Sequence, residues 1–552
     1  MARRTSRPSF SSLSKSILRS AWEFDPTRGV FLGLHEYDGR LPVLTKATVE
    51  RRAATIRRQL KALDAFAKAV GQPPQVQLES GVLRAMLLKE LFELVDAQTP
   101  RKAPMEVLWN LNIVTYLLRN YAPVDRRIRA VAKLQSQVPS YLRRFRTLTD
   151  RRLADTQYEM AEMSIAGMIE QHERELPPLL AKVHAATRKL VDRTSAAALR
   201  DMKSLQTDLR TTYKPRVKTD FALGRAKYER MLWAEHLTRL PIERLLDVGT
   251  ADLEANKKAF VETAAAVDPG KPPKEAVAVI AKDHPTADSL IPDTQKMLED
   301  IRAFLVDHDI VTIPSEERPI VMETPRFYRW SSAATSPPGS FEKVAKEAFY
   351  FVTPVDPEWP ADKAEEWLRY LNYTTLRNIS VHEAYPGHFV HFLHRRYRVK
   401  SAVLKSHWSI AFGEGWAHYA EEMMIEQGFQ GGDPKYRMAQ LKDALLRDCR
   451  YVSSIRMHVY GWSWEDSTRF FMENAFLDRL PAEREAKRGT FDPGYLNYTL
   501  GKLMIKKLRA DWMARHPGAS LKEFHDAFLV LGGPPLGLAR EALLGPDAGP
   551  AL

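Results

Sequence analysis

The segment HEAYPGH at residues 382–388 contains two histidines and a glutamate, the residue types with which many zinc hydrolases begin their active site. In the common arrangement, a His-Glu pair is followed by a second histidine four positions after the first, on the same face of a helix. Here His382 and His388 are six positions apart. On a straight helix they would point about 240° apart and lie about 9 Å apart along the axis. An uninterrupted helix could not bring both to one metal ion.

Pro386 and Gly387 make the six-residue spacing workable. Proline offers no N–H to the carbonyl of His382, and its ring pushes that turn apart. Glycine accepts the backbone angles that such a distortion requires. We expect a two-residue bulge that moves His388 to where the second histidine normally sits. Glu383 would then lie beside the metal as a general base.

A zinc ion held by two histidines needs a third protein ligand and an open position. The segment GEGWAHYAEE at residues 413–422 offers four candidates, namely Glu414, His418, Glu421 and Glu422. Glu414 and Glu421 are seven apart and share a helix face, with His418 near it. We favour Glu414 as the ligand and expect Glu421 to orient a histidine. The sequence therefore predicts one Zn²⁺ per chain.

Two other interpretations of these histidines stay open. His388, His391 and His394 share a helix face at i, i+3 and i+6 and could bind a metal or line a cleft. A purely structural alternative is a kinked helix with buried histidines. We prefer His382 and His388 as ligands because only this choice explains both the adjacent Glu383 and the helix-breaking pair.

Composition limits the class of protein. The chain has 552 residues, of which 44% are hydrophobic, enough for a large core, and no apolar run is long enough to cross a membrane. Its net charge of +13 could attract nucleic acid, but the basic clusters recur at helical spacing, as on solvated helix faces, so we expect no nucleic-acid partner. Cys449 is the single cysteine, which excludes an intrachain disulfide and favours a reducing compartment, the cytoplasm.

The apolar pattern predicts a mainly α fold with one small β-sheet. A basic arm is expected over residues 1–20, a helical wall domain over 21–310, and a catalytic zinc core over 311–552, all fused into one compact unit. Within 311–357, β-branched and aromatic residues alternate with turn prolines, which predicts two or three short strands, near 319–331 and 347–353. The helical period returns after Pro360, so the sheet should lie next to the helix that carries HEAYPGH.

HEAYPGH followed by GEGWAHYAEE resembles the bacterial family known as domain of unknown function 885. FLGLHEYDGRLP at 31–42, METPRFYRW, GWSWEDSTRFF and PGYLNYTLGKLMIKKLR are also similar to the family's pattern, so the resemblance covers nearly the whole chain. Members of the family resemble gluzincin metallopeptidases with a long helical channel. The resemblance implies a zinc site of the His, His, Glu type inside such a channel.

On this resemblance, the zinc ligands are His382, His388 and Glu414, and the base is Glu383. Oxyanion binding falls on His458 and Tyr498. The chain departs from the family's usual residues at five positions near the site, which are His391, His418, Ser454, Arg456 and Tyr495. These departures bear on substrate preference, while the ligands and base are intact.

The sequence thus predicts a zinc-dependent hydrolase that cleaves amide bonds in short peptides. Arg450 and Arg456, on the segment that carries His458, could hold a peptide's C-terminal carboxylate. One alternative is a divergent enzyme that acts on a small amide or peptide-like metabolite. An alternative of another class is a non-enzymatic nucleic-acid binder, supported only by the net charge.

Overall fold

The computed structural model describes residues 9–67, 71–329 and 331–552 and confirms a mainly α fold with one small sheet. Residue contacts divide the chain into two compact units. The first comprises Met1–Asp220, Pro338–Lys346 and Ser401–His407, and the second comprises Phe221–Pro337, Glu347–Lys400 and Trp408–Leu552. The expected boundary at residue 310 lies inside the second unit, which contains the helices between 221 and 310 as well as the candidate site.

The regular elements in the described part of the first unit are helices. Its helices are α1 (Phe10–Phe24), α2 (Pro26–Phe31), α3 (Lys46–Ala67), α4 (Pro74–Leu91), α5 (Thr99–Lys102), α6 (Pro104–Leu108), α7 (Val114–Leu118), α8 (Val124–Gln135), α9 (Val138–Leu148), α10 (Asp155–Glu170), α11 (Pro177–Leu180), α12 (Ala185–Asp208) and α20 (Ala402–Ser406). The long helix α12 packs against α8, α9 and α10. On α8, Ile128, Val131 and Leu134 are buried at three-residue steps, as expected for the apolar stripe of a helix.

The basic N-terminal arm expected over residues 1–20 needs correction. Residues 1–8 lie outside the described part, but α1 is helical from Phe10 onward. The Ser9 side chain accepts the backbone N–H of Ser12, which caps the helix, and Ile17 and Leu18 are buried. These two apolar residues, interleaved among serines and basic residues, fix the segment against the first unit.

The second unit contains the remaining helices and the sheet. The helices are α13 (Arg225–His236), α14 (Ile242–Val267), α15 (Pro273–Ile280), α16 (Leu290–Asp307), α17 (Ala361–Tyr370), α18 (Tyr373–Glu383), α19 (His388–Tyr397), α21 (Ile410–Glu426), α22 (Pro434–Tyr460), α23 (Trp464–Asn474), α24 (Arg479–Phe491), α25 (Asn497–Arg515), α26 (Leu521–Leu529) and α27 (Leu536–Leu544). Helix α21 packs along α25, and α14 packs along α22. Helix α18 contacts three long helices, which are α16, α21 and α22.

The sheet has the order β1-β3-β2, with β1 (Pro319–Glu323), β2 (Ala333–Ser336) and β3 (Ala348–Val352). The central strand β3 is parallel to β1 and antiparallel to β2, and all five of its residues are buried. Strands β1 and β3 lie within the two predicted segments. The edge strand β2, which follows the first segment, contacts α18 and therefore lies next to the HEAYPGH helix.

The segment FLGLHEYDGRLP forms a buried ionic cluster in the first unit. His35 contacts Asp38 Oδ1 through Nδ1 at 3.1 Å and Glu342 Oε2 through Nε2 at 2.7 Å. Its ring stacks on Tyr121, whose hydroxyl donates to Asp38 Oδ2. Burial lowers the pKa of His35, but Asp38 and Glu342 outweigh burial and raise it to about 9. The imidazolium thus ties the segment 338–346 to the N-terminal loop.

This cluster predicts a pH-dependent local stability. Because the pKa of folded His35 is above that of an unfolded histidine, its contribution is complete below about pH 6.5 and is lost as the pH rises through about 9. The contribution is at most about 3 kcal/mol. Hydrogen exchange of residues 338–346 should be faster in His35→Gln than in the wild-type protein at pH 6, and the difference should shrink by pH 10. A difference that is constant with pH would contradict this assignment.

The approach of Gly387 to His382 gives a second prediction. A Cβ on Gly387 would lie 1.8 Å from the carbonyl oxygen of His382, which no ordinary adjustment accommodates. Gly387→Ala should therefore lower the midpoint of thermal unfolding, with a loss of roughly 3 kcal/mol or more. Gly494→Ala is the matched control, because its nearest neighbour would be an ordinary 3.6 Å contact. Equal thermal stability of the two variants would refute the close approach.

Candidate metal centre

His382 and His388 meet because the helix is interrupted between them. Helix α18 ends at Glu383 and α19 begins at His388, with residues 384–387 as the connection. The N–H of Gly387 donates to Val381 O at 3.0 Å and closes the break. The interruption is more complete than the expected bulge, because the chain forms two helices instead of one distorted helix. The two imidazole centroids are 4.8 Å apart.

Glu414 completes the group from helix α21. Its Oε2 lies 3.4 Å from His382 Nε2 and 3.3 Å from His388 Nε2. The ligand atoms of the three residues all lie within 4.8 Å of one another. In the part of the chain that the structure describes, this is the only group of three or more His, Cys, Asp or Glu residues arranged to hold a metal. The sequence-predicted ligand set is therefore brought together.

The glycines on either side of Glu414 explain how α21 reaches this position. A Cβ on Gly413 would lie 1.9 Å from the indole nitrogen of Trp408, and one on Gly415 would lie 2.5 Å from Gly501 Cα. The absence of both side chains lets α21 approach α25 backbone to backbone and lets Trp408 cover its first turn. The Trp408 ring also lies edge-on to His388 at 6.0 Å. Gly-Glu-Gly is thus a packing requirement that places the carboxylate.

The donor set fits a zinc ion. A tetrahedral zinc with bonds of about 2.0–2.1 Å separates its ligand atoms by about 3.3–3.4 Å. The two distances from Glu414 Oε2 to the histidine Nε2 atoms match that edge length. The side chains of His382, His388 and Glu414 are 7%, 9% and 17% exposed, so the group is largely shielded and Glu414 is its most exposed member. Three protein ligands with an open position are typical of catalytic rather than structural zinc sites.

Glu421 orients His382 from the side opposite the ligand atom. Its Oε1 accepts the Nδ1–H of His382 at 2.7 Å, which leaves Nε2 available to bind a metal. Its other oxygen accepts from Asn378 Nδ2 at 3.2 Å and Arg447 Nη1 at 3.0 Å. Burial raises the pKa of Glu421, but Arg447 and His382 outweigh burial and hold it well below the usual range. The carboxylate therefore stays ionised although it is fully buried, as the sequence-based role requires.

The expected base, Glu383, is held by the edge strand β2. The N–H of Thr335 donates to Glu383 Oε2 at 2.8 Å, and the Thr335 hydroxyl donates to the Glu383 carbonyl oxygen at 2.6 Å. Glu383 is half-buried, so its carboxylate is partly open while its position is fixed. Strand β2 therefore fixes the position of the Glu383 side chain. The sequence analysis does not predict this role for residues 333–336.

Two tyrosines lie beside the group. The ring of Tyr498 stacks on that of His382 with centroids 6.4 Å apart. Tyr328 was missed by the sequence analysis, although it lies in the METPRFYRW segment. Burial, then the charges of Glu383, Tyr498 and Glu414, raise the pKa of Tyr328 to about 12. Its phenol is thus protonated at neutral pH, and the charges of the expected base and of the third candidate ligand act on it.

The expected role of His458 is not supported. Its Nε2–H donates to Gly489 O at 2.8 Å, and its Nδ1 accepts the N–H of Leu223 at 3.4 Å. The ring stacks on Tyr228, and burial lowers its pKa to about 4. With both nitrogens bonded to backbone, His458 has no N–H left for an oxyanion. It is a core histidine that joins α22 to helix α24 and to the loop before α13.

The alternative metal set is not formed either. His391 donates through Nε2 to Gly532 O at 3.3 Å, and His394 donates through Nε2 to Thr312 O at 2.8 Å. Both rings are buried, and burial lowers both pKa values. They attach α19 to neighbouring loops and do not converge with His388.

The other sequence-predicted residues contact neighbouring side chains or backbone instead of joining the group of three. His418 is buried, with Nδ1 3.6 Å from Glu421 Oε2, and its pKa is lowered to about 4 by burial. Arg450 binds both oxygens of Glu485, and Arg456 lies over the rings of Tyr460 and Trp462. The remaining two positions serve packing, because Tyr495 fills the space over Gly489 and Ser454 donates to Pro493 O.

Comparison with solved structures shows the fold. The chain resembles a candidate lipoprotein of unknown function from Shewanella oneidensis, with 23% identity, a TM-score of 0.80, and coverage of 97% of this chain and 100% of that one. It also resembles a candidate lipoprotein from Colwellia psychrerythraea, with 14% identity, a TM-score of 0.77, and coverage of 97% and 98%. Both identities are low, so these likenesses concern the fold alone. No protein of curated function matches the chain.

Two further findings concern location and family. Within the described residues, no helix combines the length and the apolar character needed to span a bilayer. The cytoplasmic location expected from the single cysteine stays a prediction. The family described as "Bacterial protein of unknown function (DUF885)" matches residues 26–543, nearly the whole chain, as the motifs led us to expect. This chain therefore belongs to the DUF885 family.

Proposed function

We propose that this protein is a zinc-dependent hydrolase that cleaves amide bonds in short peptides. The observation that carries the proposal is the position of Glu383. This carboxylate directly follows one candidate ligand in sequence, is half-buried, and is fixed by Thr335 beside a group of three residues with zinc-ligand spacing. A metal site that served only structure would have no need of such an oriented carboxylate.

The candidate ligands define what zinc would do here. His382, His388 and Glu414 would hold the ion, and Glu421 would keep His382 in the tautomer that presents Nε2. When bound, zinc supplies Lewis-acid polarisation of a carbonyl and an acidified water. The remaining steps belong to side chains of this chain.

Glu383 would carry the proton transfers. It takes a proton from the attacking water and passes it to the nitrogen of the leaving amine, so the C–N bond breaks with water added across it. Tyr498 and Tyr328 each offer a phenolic O–H near the group, and one such donor stabilises the developing oxyanion. Tyr498 keeps the role inferred from the sequence, and Tyr328 takes the place that His458 cannot fill.

The first test separates catalysis from metal binding. Glu383→Gln should lower kcat on short peptides by about a thousandfold or more, because the proton acceptor is lost, while zinc content and fold are retained. Hydrolysis is measured by mass spectrometry of peptide mixtures, and zinc by elemental analysis. Glu366→Gln is the control, since Glu366 is an exposed glutamate on α17. Turnover near the wild-type value in Glu383→Gln would exclude this mechanism.

The second test concerns the ligands. The purified wild-type protein should contain about one zinc per chain and should lose it together with activity on chelation. His382→Ala, His388→Ala and Glu414→Ala should each lower the zinc content severalfold. His391→Ala and His394→Ala are the matched controls and should keep it. If the two controls lose zinc and the three ligand variants retain it, the site has been assigned to the wrong histidines.

A further inference from the structure

Three arginines converge on one tyrosine beside the candidate metal centre. The guanidinium carbons of Arg447, Arg450 and Arg488 lie 5.9, 5.2 and 5.8 Å from the centroid of the Tyr498 ring. That ring in turn stacks on His382 at 6.4 Å. Positive charge is therefore concentrated one aromatic ring away from a candidate zinc ligand.

Two of these arginines are each paired with both oxygens of a buried or half-buried carboxylate. Arg447 contacts both oxygens of Glu421, each at 3.0 Å. Arg450 donates through Nε and Nη2 to the two oxygens of Glu485, at 2.7 and 2.9 Å. Their side chains are only 11% and 10% exposed. Such two-pronged pairs satisfy the guanidinium fork, so neither arginine is suited to hold a substrate anion.

Arg488, on α24, differs in its bonding and its exposure. Its Nε and Nη2 both donate to one oxygen, Asp492 Oδ2, at 3.1 and 3.0 Å, and Nη2 also donates to the Tyr498 hydroxyl at 3.4 Å. Its Nη1 makes no hydrogen bond to the described residues, and the side chain is 29% exposed. Asp492 and Tyr498 thus hold the guanidinium in place while one edge keeps free donors.

Tyr498 relates Arg488 to the candidate metal centre. The guanidinium carbon of Arg488 lies 5.8 Å from the centroid of the Tyr498 ring, and that centroid lies 6.4 Å from the centroid of the His382 ring. The guanidinium is therefore one aromatic ring away from a candidate zinc ligand, and the charges of Arg488, Glu383 and Glu414 all act on the phenol of Tyr328. An extended peptide advances about 3.3–3.6 Å per residue, so an anion at Arg488 would lie within a few residues of the scissile bond.

We propose that Arg488 binds a carboxylate of the substrate on the leaving-group side of the scissile bond, and that this carboxylate is the peptide's C-terminus. This inference rests on the proposed hydrolase function and gives it a direction, namely removal of residues from the C-terminal end. Water adds across the C–N bond, the acyl part leaves with a new carboxylate, and the released amino acid or short peptide carries the original carboxylate bound to Arg488.

The test compares three versions of one short peptide. The first has a free C-terminal acid, the second a C-terminal amide, and the third an amide together with a glutamate in the last position. In the wild-type protein, kcat/KM for the acid should exceed that for the plain amide by about 10- to 100-fold, as expected for hydrogen bonds to a charged group. Recovery of activity with the third peptide would identify an acidic side chain, not the C-terminus, as the recognised group and would overturn the assignment to the C-terminus.

Arg488→Gln should reduce the ratio of kcat/KM for the free acid to kcat/KM for the plain amide to about threefold or less. The ratio is taken within one protein, so a partial loss of folded enzyme does not affect it. Arg484→Gln is the matched control, because Arg484 is an exposed arginine one turn earlier on α24. It removes the same charge and should keep the wild-type ratio. An unchanged ratio in Arg488→Gln, or an equal loss in both variants, would overturn the proposal.

A measurement on the wild-type protein alone covers the case in which Arg488→Gln does not fold. Free amino acids should inhibit competitively, whereas the corresponding amino acid amides should inhibit at least about tenfold more weakly. Equal inhibition would contradict carboxylate binding. If the wild-type protein cleaves acids and amides equally, the hydrolase function stands and the inference fails. If it cleaves none of the peptides while zinc is bound, the proposed function and the inference both fail.

Discussion

The interruption of the helix between Glu383 and His388 is the constraint on which the candidate site depends. A continuous helix would direct His382 and His388 to different sides, whereas two separate helix ends direct both to one point. Pro386 removes a backbone donor where the break occurs, and Gly387 lies so close to His382 O that no side chain fits. The indole of Trp416 donates to Pro386 O at 2.9 Å, which ties the break to the helix that carries Glu414. The connecting residues 384–387 thereby also fix the position of Glu414 relative to His382 and His388.

The candidate site also depends on the compensation of a buried negative charge. A fully buried carboxylate such as Glu421 is costly unless it is paired and hydrogen-bonded. Arg447 and Asn378 provide that compensation, so Glu421 can remain ionised and hold the His382 ring. Replacing one partner would leave a buried charge uncompensated, and the long helices α18, α21 and α22 must therefore assemble together. The function of this network is to set the direction of one imidazole, which is how a site of this type keeps its geometry.

Much of the site could be predicted because its chemistry is local in sequence. The spacing of HEAYPGH with its Pro-Gly pair predicted a distortion, and the face shared by Glu414 and Glu421 predicted a ligand and its supporting residue. The distortion is larger than the sequence predicts. The chain forms two helices, and a backbone hydrogen bond from the N–H of Gly387 to Val381 O closes the break between them. The combination of β-branched and aromatic residues with turn prolines likewise predicted the sheet.

The parts that could not be predicted depend on contacts between distant segments. Thr335 lies 48 positions before Glu383, and no periodic pattern indicates that its N–H reaches that carboxylate. The sequence predicts oxyanion binding by His458, but backbone groups of Leu223 and Gly489 bind both of its ring nitrogens. The division of the chain at residue 220 follows from packing, whereas composition changes only near 310.

The most direct test of the account is a crystal structure of the protein purified with zinc, with anomalous diffraction recorded on both sides of the zinc absorption edge. The account predicts one strong anomalous peak per chain, about 2.0–2.2 Å from His382 Nε2, His388 Nε2 and Glu414 Oε2. A peak located elsewhere, or the absence of a peak at these three atoms in a protein that retains its fold, would contradict it.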